Sequence, residues 1–179
     1  MPRLVVLNGP PGIGKSTLAE RYVEDHPLSL CLEQDAVRGL IGGWLGRESD
    51  SGILARKLCL VMAREHLLGG RDVIVPQFIA LPAYLDELAA VARAAGAQHY
   101  ELVLMDDARN AESRFHARAS DPKRAEHQRI AAKLIADAGG YPHQFQRLVL
   151  GLAGRDVIEI RSTEHDIEET YRRLLSLIP

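Results

Sequence analysis

The chain has 179 residues, enough for one domain with a substantial core and too few for two ordinary domains. Its 22 basic and 24 acidic residues are interspersed and give a net charge of −2, which argues against nucleic acid or an anionic membrane as a partner. No apolar run suits a signal peptide or a membrane span, and Cys31 and Cys59 lack zinc or redox spacing. We expect a single cytoplasmic domain over residues 1–179, either a monomer or a homodimer.

Short apolar runs alternate with longer helical patterns along the chain. Strands are predicted at Leu4–Leu7, Ser29–Leu32, Val73–Val75, Tyr100–Met105 and Val157–Ile160. Helices are predicted to begin near Lys15, Ala36, Ser51, Ala83, Ala108, Lys123, Pro142 and Glu164, with Thr163 as the cap of the last helix. This alternation predicts an α/β fold, a three-layer doubly wound parallel sheet of about five strands whose ligands bind at the carboxyl edge.

The loop after the first strand carries the clearest chemical signal. The segment Gly9-Pro10-Pro11-Gly12-Ile13-Gly14-Lys15-Ser16, followed by Thr17, fits the phosphate-loop (P-loop) pattern in full. Its glycines allow a tight turn whose N–H groups surround phosphate oxygens, and the following helix N-terminus adds positive charge. Lys15 is predicted to contact the β- and γ-phosphates and Ser16 to bind Mg²⁺. The loop therefore predicts ATP with Mg²⁺ as cofactors.

Motifs of other P-loop classes are missing from the sequence. No Asn-Lys-x-Asp segment is present to read guanine. The segment Asp137-Ala-Gly-Gly140 matches the Asp-x-x-Gly loop of GTPases in its letters, but it follows no predicted strand, so we interpret it as a helix end. The third strand ends in Pro76-Gln77, where mechanical ATPases usually carry Asp-Glu, and the signature loop of transporter ATPases is absent. These absences favour a small kinase.

The ends of the second and third strands supply candidate acceptor-site residues. Asp35, expected beside the phosphate loop, is placed to accept a proton from an attacking hydroxyl, or to cap the next helix. Arg38 lies one turn further on and suits an anionic or polar substrate group, or a surface ion pair. Gln77 and Phe78 are predicted to line the acceptor pocket. Trp44 is either another wall of that pocket or an ordinary core aromatic.

Basic residues cluster between residues 114 and 129. Arg114 and Arg118 fall four apart on one helical face, and Asp121-Pro122 breaks that helix. We predict a helical lid over residues 114–129 that closes on the nucleotide, with Arg114 and Arg118 stabilising charge on the transferred phosphoryl group. The alternative is a solvated basic face.

These segments together resemble the group of P-loop kinases that includes zeta toxin, chloramphenicol phosphotransferase and adenylylsulfate kinase. Glu33-x-Asp35-x-x-Arg38 is similar to the group's Asp-x-Asp-x-x-Arg motif, and Leu102–Arg118 resembles the entry into its lid. Residues 74–79 and 82–88 look most like the tunicamycin-resistance ATP-binding proteins. The resemblance implies that Asp35 is the catalytic base and that Glu33 helps to organise hydrated Mg²⁺.

The sequence therefore favours an ATP-dependent phosphotransferase that acts on a hydroxyl of a small molecule. An antibiotic or a nucleotide-sugar-like compound is the candidate acceptor, and the predicted catalytic residues are Lys15, Asp35, Arg38, Arg114 and Arg118. Two alternatives stay open. One is a non-catalytic ATP-binding regulatory or resistance protein, and the other is a toxin-like kinase of a cell-wall sugar nucleotide.

Overall fold

The computed structural model describes residues 1–117, 132, 135–137, 139–162 and 167–179, and in this part of the chain five parallel strands form one sheet. The strands are β1 (Arg3–Asn8), β2 (Leu30–Cys31), β3 (Val73–Pro76), β4 (Gln98–Met105) and β5 (Ile158–Arg161). The helices are α1 (Lys15–Asp25), α2 (Gln34–Gly39), α3 (Glu48–Leu68), α4 (Pro82–Ala94), α5 (Ala108–Ala117), α6 (Tyr141–Leu152) and α7 (Ile167–Leu177).

The α/β fold with its parallel sheet is confirmed, and the element bounds differ from prediction by a few residues. Strand β2 is shorter than expected, and β4 begins earlier because Gln98 pairs with Arg3. Helix α3 begins at Glu48 rather than near Ser51. The predicted helix starts at Lys123 and Glu164, and the Thr163 cap, lie outside the described residues.

The order of the strands corrects one expectation. The sheet runs β2-β3-β1-β4-β5, so β3 lies between β2 and the strand that feeds the phosphate loop. Leu7 of β1 pairs with Pro76 of β3. The segment after Pro76 is therefore the direct neighbour of the phosphate loop, and the Asp35 segment is one strand further out. Local patterns predict where a strand lies in the sequence but not which strand it will pair with.

Two apolar layers cover the faces of the sheet. Val5 and Leu7 face one core cluster, whereas Leu4 and Val6 face the other, as expected from the alternation of side chains along a strand. All four side chains are fully buried. This packing fixes the carboxyl end of β1, from which the phosphate loop starts.

Helix ends follow the chemistry of their residues. Helix α4 begins at Pro82, and it ends in a left-handed turn at Gly96, with the Ala97 N–H bonded to the Ala92 carbonyl at 2.9 Å. Residues 135–137 are helical and the Gly140 N–H donates to the Ile135 carbonyl at 2.8 Å. The interpretation of residues 137–140 as a helix end is therefore confirmed. Among the described helices, none has the length and apolarity that crossing a bilayer requires.

Candidate active site

The phosphate loop packs so closely against the sheet and α5 that two of its glycines have no room for a side chain. A Cβ at Gly12 would lie 2.4 Å from the Ala111 carbonyl oxygen, and a Cβ at Gly9 would lie 2.6 Å from that of Leu104. Gly12 also has a φ of +83°, in the left-handed region. Glycine is thus required here both by backbone conformation and by contact.

Three side chains from distant elements hold the carbonyl groups of the loop. The Tyr141 hydroxyl of α6 donates to the Pro11 carbonyl, Ser162 Oγ donates to Ile13 O at 3.0 Å, and Arg114 Nε donates to Gly12 O at 3.3 Å. Burial raises the pKa of the Tyr141 hydroxyl above its usual range, which keeps it a neutral donor. With these carbonyls bound to the protein, the loop is fixed in a shape that leaves its N–H groups for an anion.

Lys15 folds back over the loop that precedes it. Its Nζ donates to Gly9 O at 2.8 Å and to Pro10 O at 2.9 Å, and the side chain is buried. Ser16 and Thr17 follow in the first turn of α1, both half-buried. The structure therefore brings all the predicted nucleotide-binding residues from Gly9 to Thr17 into one continuous turn at the carboxyl edge of the sheet.

Asp35, Arg38 and Trp44 form one cluster at the outer edge of the sheet. Arg38 Nη2 lies 2.7 Å from Asp35 Oδ1, and its Cζ lies 5.2 Å from the centroid of the Trp44 ring. The Arg38 side chain is 9% exposed and that of Asp35 46% exposed. The arginine end of the ion pair is thus buried while the aspartate end is exposed, and Trp44 is a buried partner of the guanidinium. The cluster presents one accessible carboxylate in a fixed position.

The helix cap proposed for Asp35 is wrong. The N-cap of α2 is Glu33, whose side chain makes no cap hydrogen bond, and Asp35 lies inside the first turn. Glu33 has an extended backbone and a half-buried side chain just beyond β2. The two acidic residues therefore stand at the same strand end.

Asn8 joins the phosphate loop to the segment after β3, and it was not among the predicted site residues. Its Oδ1 accepts hydrogen bonds from the N–H groups of Gly9 at 2.8 Å and Ile79 at 2.9 Å, while Nδ2 donates to Ile79 O at 2.8 Å. The side chain is 2% exposed. A polar residue at the end of an otherwise apolar strand was the signal that could have identified it.

The segment 77–81 is held from two sides. Asn8 bonds it on one side, and on the other a Cβ at Gly151 of α6 would lie 2.6 Å from the Ala80 carbonyl oxygen. The predicted acceptor residues Gln77 and Phe78 are half-buried in this segment, and the Gln77 N–H donates to Leu7 O at 3.2 Å. They therefore lie next to the phosphate loop, closer in strand order than the Asp35 cluster.

Arg114 reaches the phosphate loop from α5. Besides its bond to Gly12 O, its Nη2 lies 2.7 Å from Asp106 Oδ2, with the two side chains 15% and 7% exposed. Asp106 was not predicted as a site residue, although it holds the arginine in place. Arg118 and the rest of the predicted lid, residues 118–129, lie outside the described residues.

Solved structures share this fold over nearly the whole chain. The Mycobacterium tuberculosis APS kinase in complex with AMPPNP and APS has a TM-score of 0.62 at 19% identity, covering 99% of this chain and 97% of that one. A gluconokinase from Sinorhizobium meliloti 1021 and the tunicamycin resistance protein of Deinococcus radiodurans each have a TM-score of 0.59 at 18% identity, covering 99% of this chain and 95% and 96% of theirs. No curated protein matches the sequence at a significant level.

The family comparison covers the elements that build the site. A model described as an AAA domain, AAA_33, matches residues 4–138, a range that includes the phosphate loop, the Asp35 cluster, the segment 77–81 and Arg114. The resemblance to small P-loop kinases is confirmed by this match together with the shared fold. The chain belongs to the AAA_33 family of P-loop kinase-like proteins.

Proposed function

We propose that this protein is an ATP-dependent phosphotransferase that transfers the γ-phosphate to a hydroxyl of a small molecule. One observation carries the proposal: an accessible carboxylate, Asp35, is fixed by a buried arginine at the same sheet edge as a complete phosphate loop. A protein that only binds nucleotide has no need of a carboxylate held in this way.

The nucleotide half of the site uses the loop and its flanks. The backbone N–H groups between Gly12 and Ser16 bind the phosphates, and Lys15 moves its Nζ from the loop carbonyls to the β- and γ-phosphates. Arg114 Nη1 is buried and has no hydrogen-bond partner among the described residues, so it is available as a donor to the nucleotide. Ser16 and Glu33 offer the oxygen ligands that Mg²⁺ prefers, and the ion, when bound, neutralises phosphate charge.

The acceptor half of the site uses the carboxyl ends of β2 and β3. The acceptor oxygen attacks the γ-phosphorus, the bond to the β,γ-bridging oxygen breaks, ADP leaves, and Asp35 takes the hydroxyl proton. Arg38 fixes the orientation of the Asp35 carboxylate, and its positive charge can bind polar groups of the acceptor. Gln77, Phe78 and Trp44 form the walls. Arg118, on the predicted lid, adds positive charge over the transferred group.

The acceptor is proposed to be a hydroxylated antibiotic or a nucleotide-sugar-like compound in the cytoplasm. The test is a screen of aminoglycosides, nucleosides, sugar acids and uridine-diphosphate sugars with Mg²⁺-ATP, with mass spectrometry to find a compound that gains one phosphoryl group. Lys15→Ala and Asp35→Asn are the control variants. We expect a product with the unmodified protein alone. A product formed equally by the Asp35→Asn variant would remove Asp35 from the chemistry.

A second candidate is a regulatory or resistance protein that binds ATP without transferring phosphate. It is favoured by the end of β3 in Pro76-Gln77, which supplies no carboxylate beside the phosphate loop. Under that function, ATP would bind with normal affinity and no compound in the screen would gain phosphate. A toxin-like kinase would instead phosphorylate a sugar nucleotide and arrest growth when it is expressed.

A further inference from the structure

Helix α3 has a buried inner face, and on its outer side large apolar side chains stand beside the charged residues Lys57, Arg64 and Glu65. Its inner face consists of mostly small buried residues: Ser51, Gly52, Ala55, Cys59, Ala63 and Leu67. Its outer face carries six large apolar side chains: Ile53 (44% exposed), Leu54 (50%), Leu58 (47%), Val61 (60%), Met62 (39%) and Leu68 (51%). A helix on the surface of a globular protein normally has polar residues on its outer side. We call these six residues the outer α3 face.

The acceptor site does not account for this face. Helix α3 follows the Asp35 cluster and leads into the start of β3, so it runs from the site edge of the sheet to the opposite edge. At 1.5 Å per residue, its last residue lies about 30 Å from its first. Val61, Met62 and Leu68 therefore stand well away from any acceptor, and 60%, 39% and 51% of their surfaces are exposed.

We propose that the outer α3 face is a homodimer interface in which the α3 helices of two copies pack antiparallel. Leu54, Leu58, Val61 and Leu68, with one polar residue at position 65, fall at the alternating four- and three-residue spacing by which two helices pack along one seam. Because a twofold axis brings the same surface of two copies together, such a seam can pack against the identical seam of a second copy. The axis passes between Leu58 and Val61, near the middle of the stripe.

Charge selects the antiparallel direction. The remaining seam position is Glu65, which is exposed and paired only with its neighbour Arg64 in the salt bridges of the described chain. In a parallel pair, two Glu65 carboxylates would face each other. In the antiparallel pair, Glu65 faces Leu54 of the partner subunit and lies within one turn of Lys57 of the partner subunit, whose ammonium can reach it.

The apolar area reaches the lower bound for a specific dimer when the whole face is covered. The six half-exposed side chains expose roughly 500 Å² per copy, so full coverage in both copies removes about 1,000 Å² from water, the least that a specific interface requires. Helix α2 packs against α3, so dimerisation would also support the helix that carries Asp35 and Arg38. This inference does not depend on the proposed reaction.

The mass of the full chain in solution tests the proposal. Sedimentation equilibrium over a range of micromolar concentrations should give twice the chain mass. The double variant Leu58→Glu with Val61→Glu should sediment as a monomer. The matched control, Val149→Glu with Leu150→Glu, changes two apolar residues of α6 that are 58% and 75% exposed, and it should stay dimeric. An unmodified chain that is monomeric throughout, or a Leu58/Val61 variant that still dimerises, overturns the proposal.

Cross-linking tests the direction of the two helices. Val61→Cys should form a disulfide between subunits under mild oxidation, because the two positions lie near the axis. Leu68→Cys should not, because the two positions are about 25 Å apart in the antiparallel pair. Lys57→Glu should weaken dimerisation, and adding Glu65→Lys should restore it. Efficient cross-linking through position 68 would show a parallel pair and overturn the antiparallel arrangement.

Discussion

Replacing Asn8 with leucine tests whether its amide holds the phosphate loop and the segment 77–81 together. Leucine has the same number and branching of side-chain heavy atoms as asparagine but none of its polar atoms. The change removes all three hydrogen bonds, which leaves the N–H groups of Gly9 and Ile79 and the Ile79 carbonyl unsatisfied at a position that is 2% exposed. Each unsatisfied buried group costs about 1–3 kcal/mol, and the apolar side chain recovers a part of that. We expect the free energy of unfolding to fall by about 3 kcal/mol.

Asn8→Asp adds a test with a pH dependence. The second carboxyl oxygen would take the place of Nδ2, 2.8 Å from Ile79 O, and it can donate there only when it is protonated. Facing that carbonyl in a buried position raises the pKa of the introduced carboxyl above its unfolded value of about 3.9. The stability that this hydrogen bond contributes is therefore fully present below the pKa of the unfolded state, and it is lost as the pH rises through the pKa of the folded state. At low pH the melting temperature of the variant should be close to that of the unmodified protein. As the pH increases, the melting temperature of the variant should drop below it.

Urea unfolding and hydrogen exchange provide the measurements. Both Asn8 variants should speed exchange of the Gln77 and Ile79 amides relative to the amides of β4. Gln144→Leu is the matched control, because Gln144 is 4% exposed and accepts a hydrogen bond from Arg147 of its own helix. It should lower stability without a selective change at residues 77–79. An Asn8→Leu protein with unchanged stability and unchanged exchange at Ile79 would refute the reasoning.

The other predictions concern the reactants and the lid. Lys15→Ala should abolish binding of Mg²⁺-ATP in calorimetry and leave the fold intact, and equal affinity would exclude the phosphate-loop assignment. Gly12→Ala places a Cβ 2.4 Å from the Ala111 carbonyl oxygen, so it should lower the free energy of unfolding by at least about 2 kcal/mol in urea and weaken ATP binding as well. Asp35→Asn should keep ATP affinity and lower kcat by about 10²–10⁴-fold on the true acceptor, and a fully active variant would move the base elsewhere, with Glu33 as the first candidate. Residues 108–129 should gain protection from hydrogen exchange when an ATP analogue binds, and an unchanged pattern would mean that the basic cluster is only a solvated face.

The sequence predicts those parts of the fold that local pattern determines. The strand positions, the phosphate loop and the start of α4 at Pro82 each depend on residues within one or two turns of each other. Contacts between distant residues could not be predicted in this way. Asn8 and Ile79 are 71 positions apart, and Tyr141 and Pro11 are 130 apart. No periodicity encodes such a pair, so the anchors of the loop become visible only when the strands are assembled.

The outer strand illustrates a second reason. Two acidic residues, Glu33 and Asp35, stand close enough that either can begin a helix, and composition does not decide between them. The choice depends on where β2 leaves the sheet, and β2 pairs only through Leu30 and Cys31 with β3. The pairing of an edge strand is set by its neighbour, which the local sequence does not specify.

The phosphate loop is fixed by more long-range hydrogen bonds than the Asp35 cluster, and this difference has a consequence for acceptor specificity. The phosphate loop is bonded by Asn8, Tyr141, Ser162 and Arg114, which come from four separate elements. The Asp35 cluster follows a two-residue edge strand, and it is held by the Asp35–Arg38 ion pair, the Trp44 ring and the packing of α2 on α3. Elements with few long-range bonds open at the lowest free-energy cost. We infer that, in the proposed phosphotransferase, the nucleotide half is the more rigid part of the site and the acceptor half adapts to its ligand. Substitutions around Trp44 should accordingly change which acceptor is used while the affinity for ATP stays the same, and a selectivity panel with matched ATP titrations would show this.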